Sequence, residues 1–256
     1  MLVDPTRVVV TSSNYSSIKL QLDRDYIIDL GVGMRSVPGA VSIWGGRNVV
    51  LENGHLNITG ASGGIKLKNQ TGTMWVHNLR ISGPQLMEGI DLEQRQPNSA
   101  VVLRNVLIDG VYGSISTNHA DLLQTWAGPS KLLVDGFSGT TTYQGFFLTP
   151  NQQFADGPPP KVFDLRHVDI DVSDGGYALW RDVGFPFCAE DIHVKPNPRK
   201  LARDWWVWPK PSTGDTSWAS ATTTPVSAPD GRFVRPTSSG IPTGISDQQT
   251  RSAPCT

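Results

Sequence analysis

Between residues 41 and 196 the chain repeats one pattern of apolar and polar positions. Each copy is a short alternating run, a turn, and a second run that closes on glycine in its best examples. The second runs are clearest at Gly54-His-Leu-Asn-Ile-Thr-Gly60, His77-Asn-Leu-Arg-Ile-Ser-Gly83 and Arg104-Asn-Val-Leu-Ile-Asp-Gly110. Looser copies follow at Val134-Asp-Gly-Phe-Ser-Gly139, Arg166-His-Val-Asp-Ile-Asp171 and Glu190-Asp-Ile-His-Val194. With Ile58, Ile81, Ile108, Phe137, Ile170 and Val194 taken as equivalent, the steps are 23, 27, 29, 33 and 24 residues. The first runs are Val41-Ser-Ile-Trp44, Ile65-Lys-Leu-Lys68, Ile90-Asp-Leu-Glu93, Asp121-Leu-Leu-Gln124, Phe146-Phe-Leu-Thr149 and Ala178-Leu-Trp-Arg181. Side chains alternate across a strand, so Ile65, Leu67, Ile90 and Leu92 face inward while Lys66, Lys68, Asp91 and Glu93 face out. Self-similarity at this period is the mark of a solenoid, and the strands and turns within each copy make it a β-solenoid. No helical crossover separates the runs, so the coil itself must make the strands parallel.

The flanks differ. Residues 1–40 carry Ile18-Lys-Leu-Gln-Leu22 and Tyr26-Ile-Ile-Asp-Leu30, read as an N-terminal strand and a cap over the open end of the stack. Residues 41–196 are read as the parallel β-helix. Residues 197–256 begin basic and Trp-dense and continue rich in Ser, Thr, Pro and Gly. They are read as a plug, built on Trp205, Trp206 and Trp208, followed by an extended tail that lies on its own solenoid or on a partner chain. Extra length collects at 94–99, 111–119 and 152–161, and insertions in a solenoid gather on the face that binds.

Composition sharpens this picture in a few places. The 256 residues carry a net charge of -1, so no basic field argues for nucleic acid. Glycine (26) and proline (19) suit many strands joined by turns. Two cysteines, Cys188 and Cys255, make neither a metal site nor a disulfide framework, and Cys188 reads as a buried free thiol. No basic-then-apolar leader opens the chain and no run reaches membrane-spanning length, so no membrane insertion is expected. His55, His77, His167 and His193 lack metal-ligand spacing, and no phosphate loop or nucleophile elbow occurs. No metal and no cofactor are expected.

The candidate chemistry centres on His119-x-Asp121-x-x-Gln124, at a strand start just after the 111–118 insertion. Tyr143, Gln144, Asn151, Arg181 and Asp182 follow one or two coils later, and Asp91, Glu93, Asp121, Gln124 and Arg181 could stack as a polar ladder. A β-elimination lyase needs a base beside a uronate carboxyl and a cation for the developing charge; His119 or Tyr143 would be the base and Arg181 the cation. A hydrolase would use paired carboxylates on neighbouring coils, drawn from Asp91, Glu93, Asp121 and Asp182. Trp126 stands beside the group as a platform for a sugar ring, and Trp180 reads either way. The plainer reading is that Asp121 and His119 merely tie down a turn. Asn78 and Asn105 recur at turns because asparagine tolerates left-handed backbone and stacks as an amide ladder.

Two resemblances add to this. Ser42-Ile-Trp-Gly-Gly-Arg-Asn-Val-Val-Leu-Glu-Asn53 and Thr73-Met-Trp-Val-His-Asn-Leu-Arg-Ile-Ser-Gly83 resemble the right-handed parallel β-helix of pectate-lyase-like proteins over residues 20–196. His119-Ala-Asp-Leu-Leu-Gln-Thr-Trp-Ala-Gly-Pro129, Thr142-Tyr-Gln-Gly-Phe-Phe-Leu148, Trp206-Val-Trp-Pro-Lys-Pro211 and Pro229-Asp-Gly-Arg-Phe-Val234 resemble β-helix minor tail proteins of long-tailed phages of actinobacteria. The second resemblance implies a virion protein assembled in the host cytoplasm, a homotrimer with other tail proteins as partners, contacting a cell-surface polysaccharide. The alternative is a secreted polysaccharide lyase or glycosidase acting through His119, Asp121 and Arg181, with Gln124, Trp126, Tyr143, Gln144 and Asn151 binding substrate.

Overall fold

The computed structural model describes residues 2–31, 33–152, 157–174, 176–197, 207–213 and 215–218. Every regular element among them is a β-strand: β1 (Thr6–Val9), β2 (Ile18–Leu20), β3 (Tyr26–Asp29), β4 (Met34–Val37), β5 (Val41–Gly45), β6 (Val49–Ile58), β7 (Ser62–Lys68), β8 (Thr73–Ser82), β9 (Leu86–Glu93), β10 (Ala100–Val111), β11 (Asp121–Ala127), β12 (Lys131–Thr141), β13 (Gln144–Leu148), β14 (Val162–Val172), β15 (Leu179–Arg181), β16 (Phe187–Lys195) and β17 (Asp215–Trp218). They form two parallel sheets. One runs β1-β3-β6-β8-β10-β12-β14-β16-β17, with β4 also on β6; the other runs β2-β5-β7-β9-β11-β13-β15. The protein is therefore all-β and parallel. Except at β3–β4 and β16–β17, where successive strands stay in the ten-stranded sheet, the chain alternates between sheets and each sheet keeps sequence order, an arrangement compatible with a solenoid.

The first runs of the repeat are the strands of the seven-stranded sheet, and the second runs lie in the ten-stranded one. Residues 1–40, read as an N-terminal strand and a cap, contribute β1, β3 and β4 to one sheet and β2 to the other.

The long strands of the ten-stranded sheet each change direction midway. Asn53, Asn78, Asn105, Gly136, His167 and Asp191 fall in register there, and all have positive φ, from 51° to 75°. Asparagine, aspartate and glycine accept this left-handed conformation most readily. The expected amide ladder is present: Asn78 Nδ2 donates to Asn53 Oδ1 at 3.0 Å, and Asn105 Nδ2 to Asn78 Oδ1 at 2.8 Å. The sequence motifs covered only the half of each strand around and after this bend.

Inward rows stack along the core. Val49, Met74, Val101, Leu132, Phe163 and Phe187 form one, all fully buried. Each such side chain contributes roughly 1.5–3 kcal/mol of burial free energy. A second row corrects the expected equivalence of Ile58 and Phe137. Leu56, Ile81, Ile108, Gly139, Ile170 and Val194 are the true partners, with steps of 25, 27, 31, 31 and 24 residues. A slip of two residues leaves every side chain on its own face, so alternation alone does not detect it. At Gly139 the missing side chain hid the match. Leu122, from the opposite sheet, fills that space: a Cβ on Gly139 would lie 2.8 Å from both Leu122 methyl carbons.

Cys188 is buried as expected but is not a free thiol: it is disulfide-bonded. Cys255, Trp205 and Trp206 lie outside the described residues. Val207 and Trp208 are 6% exposed and join the core.

Candidate functional site

The outer face of the seven-stranded sheet carries the residues with unspent polar capacity. Register places Ser42, Lys66, Asp91, Gln124, Phe147 and Trp180 in one outward row. A second outward pair sets Asp121 beside Gln144. The rows stand on strands roughly 4.8 Å apart, so the face passes from charged through amide to aromatic within a few neighbouring strands.

Asp121 is 1% exposed, and neither carboxyl oxygen has a hydrogen-bond partner. Burial, with the acids Glu88 and Asp91 close by, pushes its carboxyl up to about 9. Asp91 also lies well above the usual carboxylate range, first because it is buried and then because Glu88 faces it closely enough to share a proton. Lys66 opposes the rise in Asp91 through a 3.5 Å contact. Lys66 and Lys68 thus face outward with Asp91 and Glu93, and the outward residues also pair, Lys68 reaching Glu93 at 2.5 Å. Gln124 donates its amide to Gln152 Oε1 at 3.2 Å, leaving its own Oε1 unpartnered; Gln144 Oε1 is unpartnered too.

His119 is exposed on the loop before β11, with its ring 5.6 Å from that of Tyr143. Burial, then Asp121, then Tyr177 raise the Tyr143 hydroxyl above its ordinary value. Beyond Gln144 and Phe147 the face turns aromatic. Tyr177 meets Trp180 edge-on at 4.7 Å, Phe147 lies 6.2 Å from Trp180, and Trp180 is 44% exposed. Trp126 is half-buried, and Asn151 is exposed with no part in the cluster's hydrogen bonds.

Arg181 does not belong to this face. It shares a row with Leu92, Thr125 and Leu148, inward positions whose partners are core residues. Its guanidinium lies 4.5 Å over the Phe187 ring and is gripped by Asp215. The polar ladder expected to include it ends instead in Phe147 and Trp180, because the run Ala178–Arg181 points Trp180 outward.

The structure thus brings His119, Asp121, Gln124, Tyr143 and Gln144 together and leaves out Arg181 and Asn151. It adds Glu88, Gln152, Phe147 and Tyr177, which the sequence motifs did not mark. The signal for Glu88 was Gly89 beside it. A Cβ there would collide with the Leu122 carbonyl, so β9 and β11 approach closely at that point. No group of His, Cys, Asp and Glu among the described residues is arranged to hold a metal. Compared with known proteins, the chain matches no family model, and no curated protein or solved structure is similar to it at a significant level.

Proposed function

We propose that the chain is a right-handed parallel β-helix that serves as a minor tail protein of a phage and engages a host-envelope glycan through the outer face of its seven-stranded sheet. The single observation behind the glycan reading is the outward row Asp91, Gln124, Phe147, Trp180. Sugar rings present hydroxyls at their edges and C–H groups on their faces, so adjacent amide and aromatic side chains match both. The sheet order and the left-handed column support the coil. The tail reading rests on the sequence resemblance of residues 119–129, 142–148, 206–211 and 229–234. Homotrimer formation belongs to the same proposal.

Calorimetry against envelope polysaccharide fragments tests the glycan face: Trp180→Ala and Phe147→Ala each weaken binding about tenfold, or ~1.4 kcal/mol. Absence of binding to any fragment sinks it. An antibody to the chain should label tails in electron micrographs of virions, and unlabelled tails would remove the tail assignment.

One observation favours a second reading. If the face turns sugar over, the buried acids make it a hydrolase rather than a lyase, since Arg181, the cation a lyase would use, is held by Asp215. Protonated Asp121 would be the general acid and Glu88 its partner carboxylate. Asp121→Asn would then abolish release of reducing ends while sugar still bound.

A further inference from the structure

Five oxygen atoms on the outer face of the seven-stranded sheet lack partners: both of Asp121, Oδ1 of Asp91, Oε1 of Gln124 and Oε1 of Gln144. All four residues are at least nine-tenths buried, and register seats Asp121 against Gln144 and Asp91 against Gln124. A buried polar oxygen without a partner costs about 1–3 kcal/mol, and with one proton on Asp121 the acceptors on these neighbouring strands β9, β11 and β13 still outnumber the donors, which favours a ligand that donates.

The kind of donor follows from what surrounds them. A neutral hydroxyl brings one donor and two acceptors, which leaves acceptors in excess. A uronate carboxylate brings acceptors and negative charge against three acids. A primary ammonium brings three donors and no acceptor, with charge opposite to the acids. The neighbourhood already contains that arrangement once: the Lys66 ammonium approaches Asp91 from β7 at 3.5 Å. The other ionisable groups around Asp121 are Glu88 and Asp91 on β9, Tyr143, Tyr177 and the exposed His119; Arg181 is engaged by Asp215.

We propose that Asp91, Asp121, Gln124 and Gln144, with Glu88 beside them, form a subsite for a primary ammonium carried on a sugar, so that the glycan recognised by this face contains amino sugars with a free amine and not uronates. This rests on the glycan reading above. The amine displaces the proton of Asp121 and takes the carboxylate as its counter-ion, while Trp180 and Tyr177 supply the platform for the ring. Binding therefore releases a proton to solvent, in keeping with the raised carboxyl of Asp121.

The test uses calorimetry on the full chain with three probes: a glucosamine oligosaccharide, its fully N-acetylated counterpart and an oligogalacturonate. The free-amine probe should bind about tenfold or more tightly than the acetylated one, and the galacturonate weakest. Asp121→Asn, which matches the neutral carboxyl in shape, should erase the preference for the amine, while Trp180→Ala should weaken both hexosamine probes alike. Equal binding of acetylated and free-amine probes, or a preference that survives Asp121→Asn, overturns the subsite and leaves the glycan face standing. Failure of every probe removes the glycan face itself. Carbon NMR of the aspartate carboxyls then judges the subsite alone: glucosamine, but not N-acetylglucosamine, should ionise Asp121, and an unmoved resonance refutes the proposal.

Discussion

Arg181 holds Asp215 through both terminal guanidinium nitrogens, at 2.9 and 2.7 Å, with the two side chains only 2% and 4% exposed. The pair ties β17 and the loop before it to the end of the seven-stranded sheet, and Asp215 Oδ2 also accepts from the Ser212 backbone at 2.6 Å. Two parallel charge-assisted bonds in a dry setting are strong only while both partners remain. Asp215→Ala should therefore cost about 3–5 kcal/mol of stability, measured by urea unfolding. Sugar binding by the folded fraction should be unchanged. A variant of normal stability with lost binding would return Arg181 to the functional face.

Leu122 and Gly139 make a complementary pair across the core. Elsewhere the large partner is on the other sheet: Ile81 leans over Gly64 and Ile108 over Gly89. At Gly139 the roles reverse. Leu122→Ala should cost about 2–5 kcal/mol as a cavity opens. Gly139→Ala alone should cost about 1–3 kcal/mol by overpacking, since its backbone is not left-handed and the clash with leucine is the obstacle. Combined, the added methyl enters the vacated space. The double variant should be more stable than the sum of the two losses by about 1 kcal/mol or more, and strict additivity in chemical denaturation would disprove the exchange.

What could be read from the sequence follows the same division. Alternation located most strands of the seven-stranded sheet, part of each long strand of the other, and the inward or outward sense of Ile65, Lys66, Leu67 and Lys68, because face is a local property of a strand. The placement of Asn78 and Asn105 was equally legible, since few residues tolerate that backbone. Register was not local. Nothing in Phe137 and Gly139 says which one stands over Ile108 until Leu122 is seen occupying the gap. Arg181 was misplaced for a related reason. An arginine in an alternating run looks outward by type, yet alternation puts Trp180 outward and Arg181 inward, and the burial is tolerated because Asp215, 34 residues away, compensates it. Glu88 carries no motif, and its meeting with Asp91 and Asp121 depends on how β9 and β11 are paired.

The left-handed column gives a test of how the strands are bent. Asn105 sits at φ 51° and donates to Asn78. Asn105→Ala forces a Cβ-bearing residue without a stabilising amide into that conformation and removes the ladder bond. The cost should be about 1–3 kcal/mol. Asn105→Gly keeps the backbone comfortable and loses only the amide, so it should fall short of the alanine variant in thermal unfolding. Glycine more damaging than alanine would mean that the bend is not what asparagine serves here.

A buried acid and a half-buried histidine should give stability opposing dependences on pH. Asp121 is held near 9 by burial and by Glu88 and Asp91, against 3.8 for a free carboxyl. The folded chain therefore binds more protons than the unfolded chain between those values. Its contribution is fully present below about pH 4 and declines as pH rises toward 9, by about 1.4 kcal/mol per pH unit for one proton. His77 is pushed down to about 4 from 6.5, first by burial and then by Arg104, and its Nε2 has no hydrogen-bond partner. Here the unfolded chain binds more protons, so stability is present above about pH 6.5 and is lost as pH falls toward 4. Between about pH 4 and 6.5 the two slopes offset one another; above that range the decline from Asp121 stands exposed, with Asp91 acting in the same direction. Urea unfolding of Asp121→Asn should show an advantage over the parent chain that widens steadily from about pH 5 to 8. His77→Gln should show its advantage only on the acid side. An Asp121→Asn difference that stays constant with pH would mean that the carboxyl is already ionised in the folded chain, and the buried acid cluster would have to be abandoned.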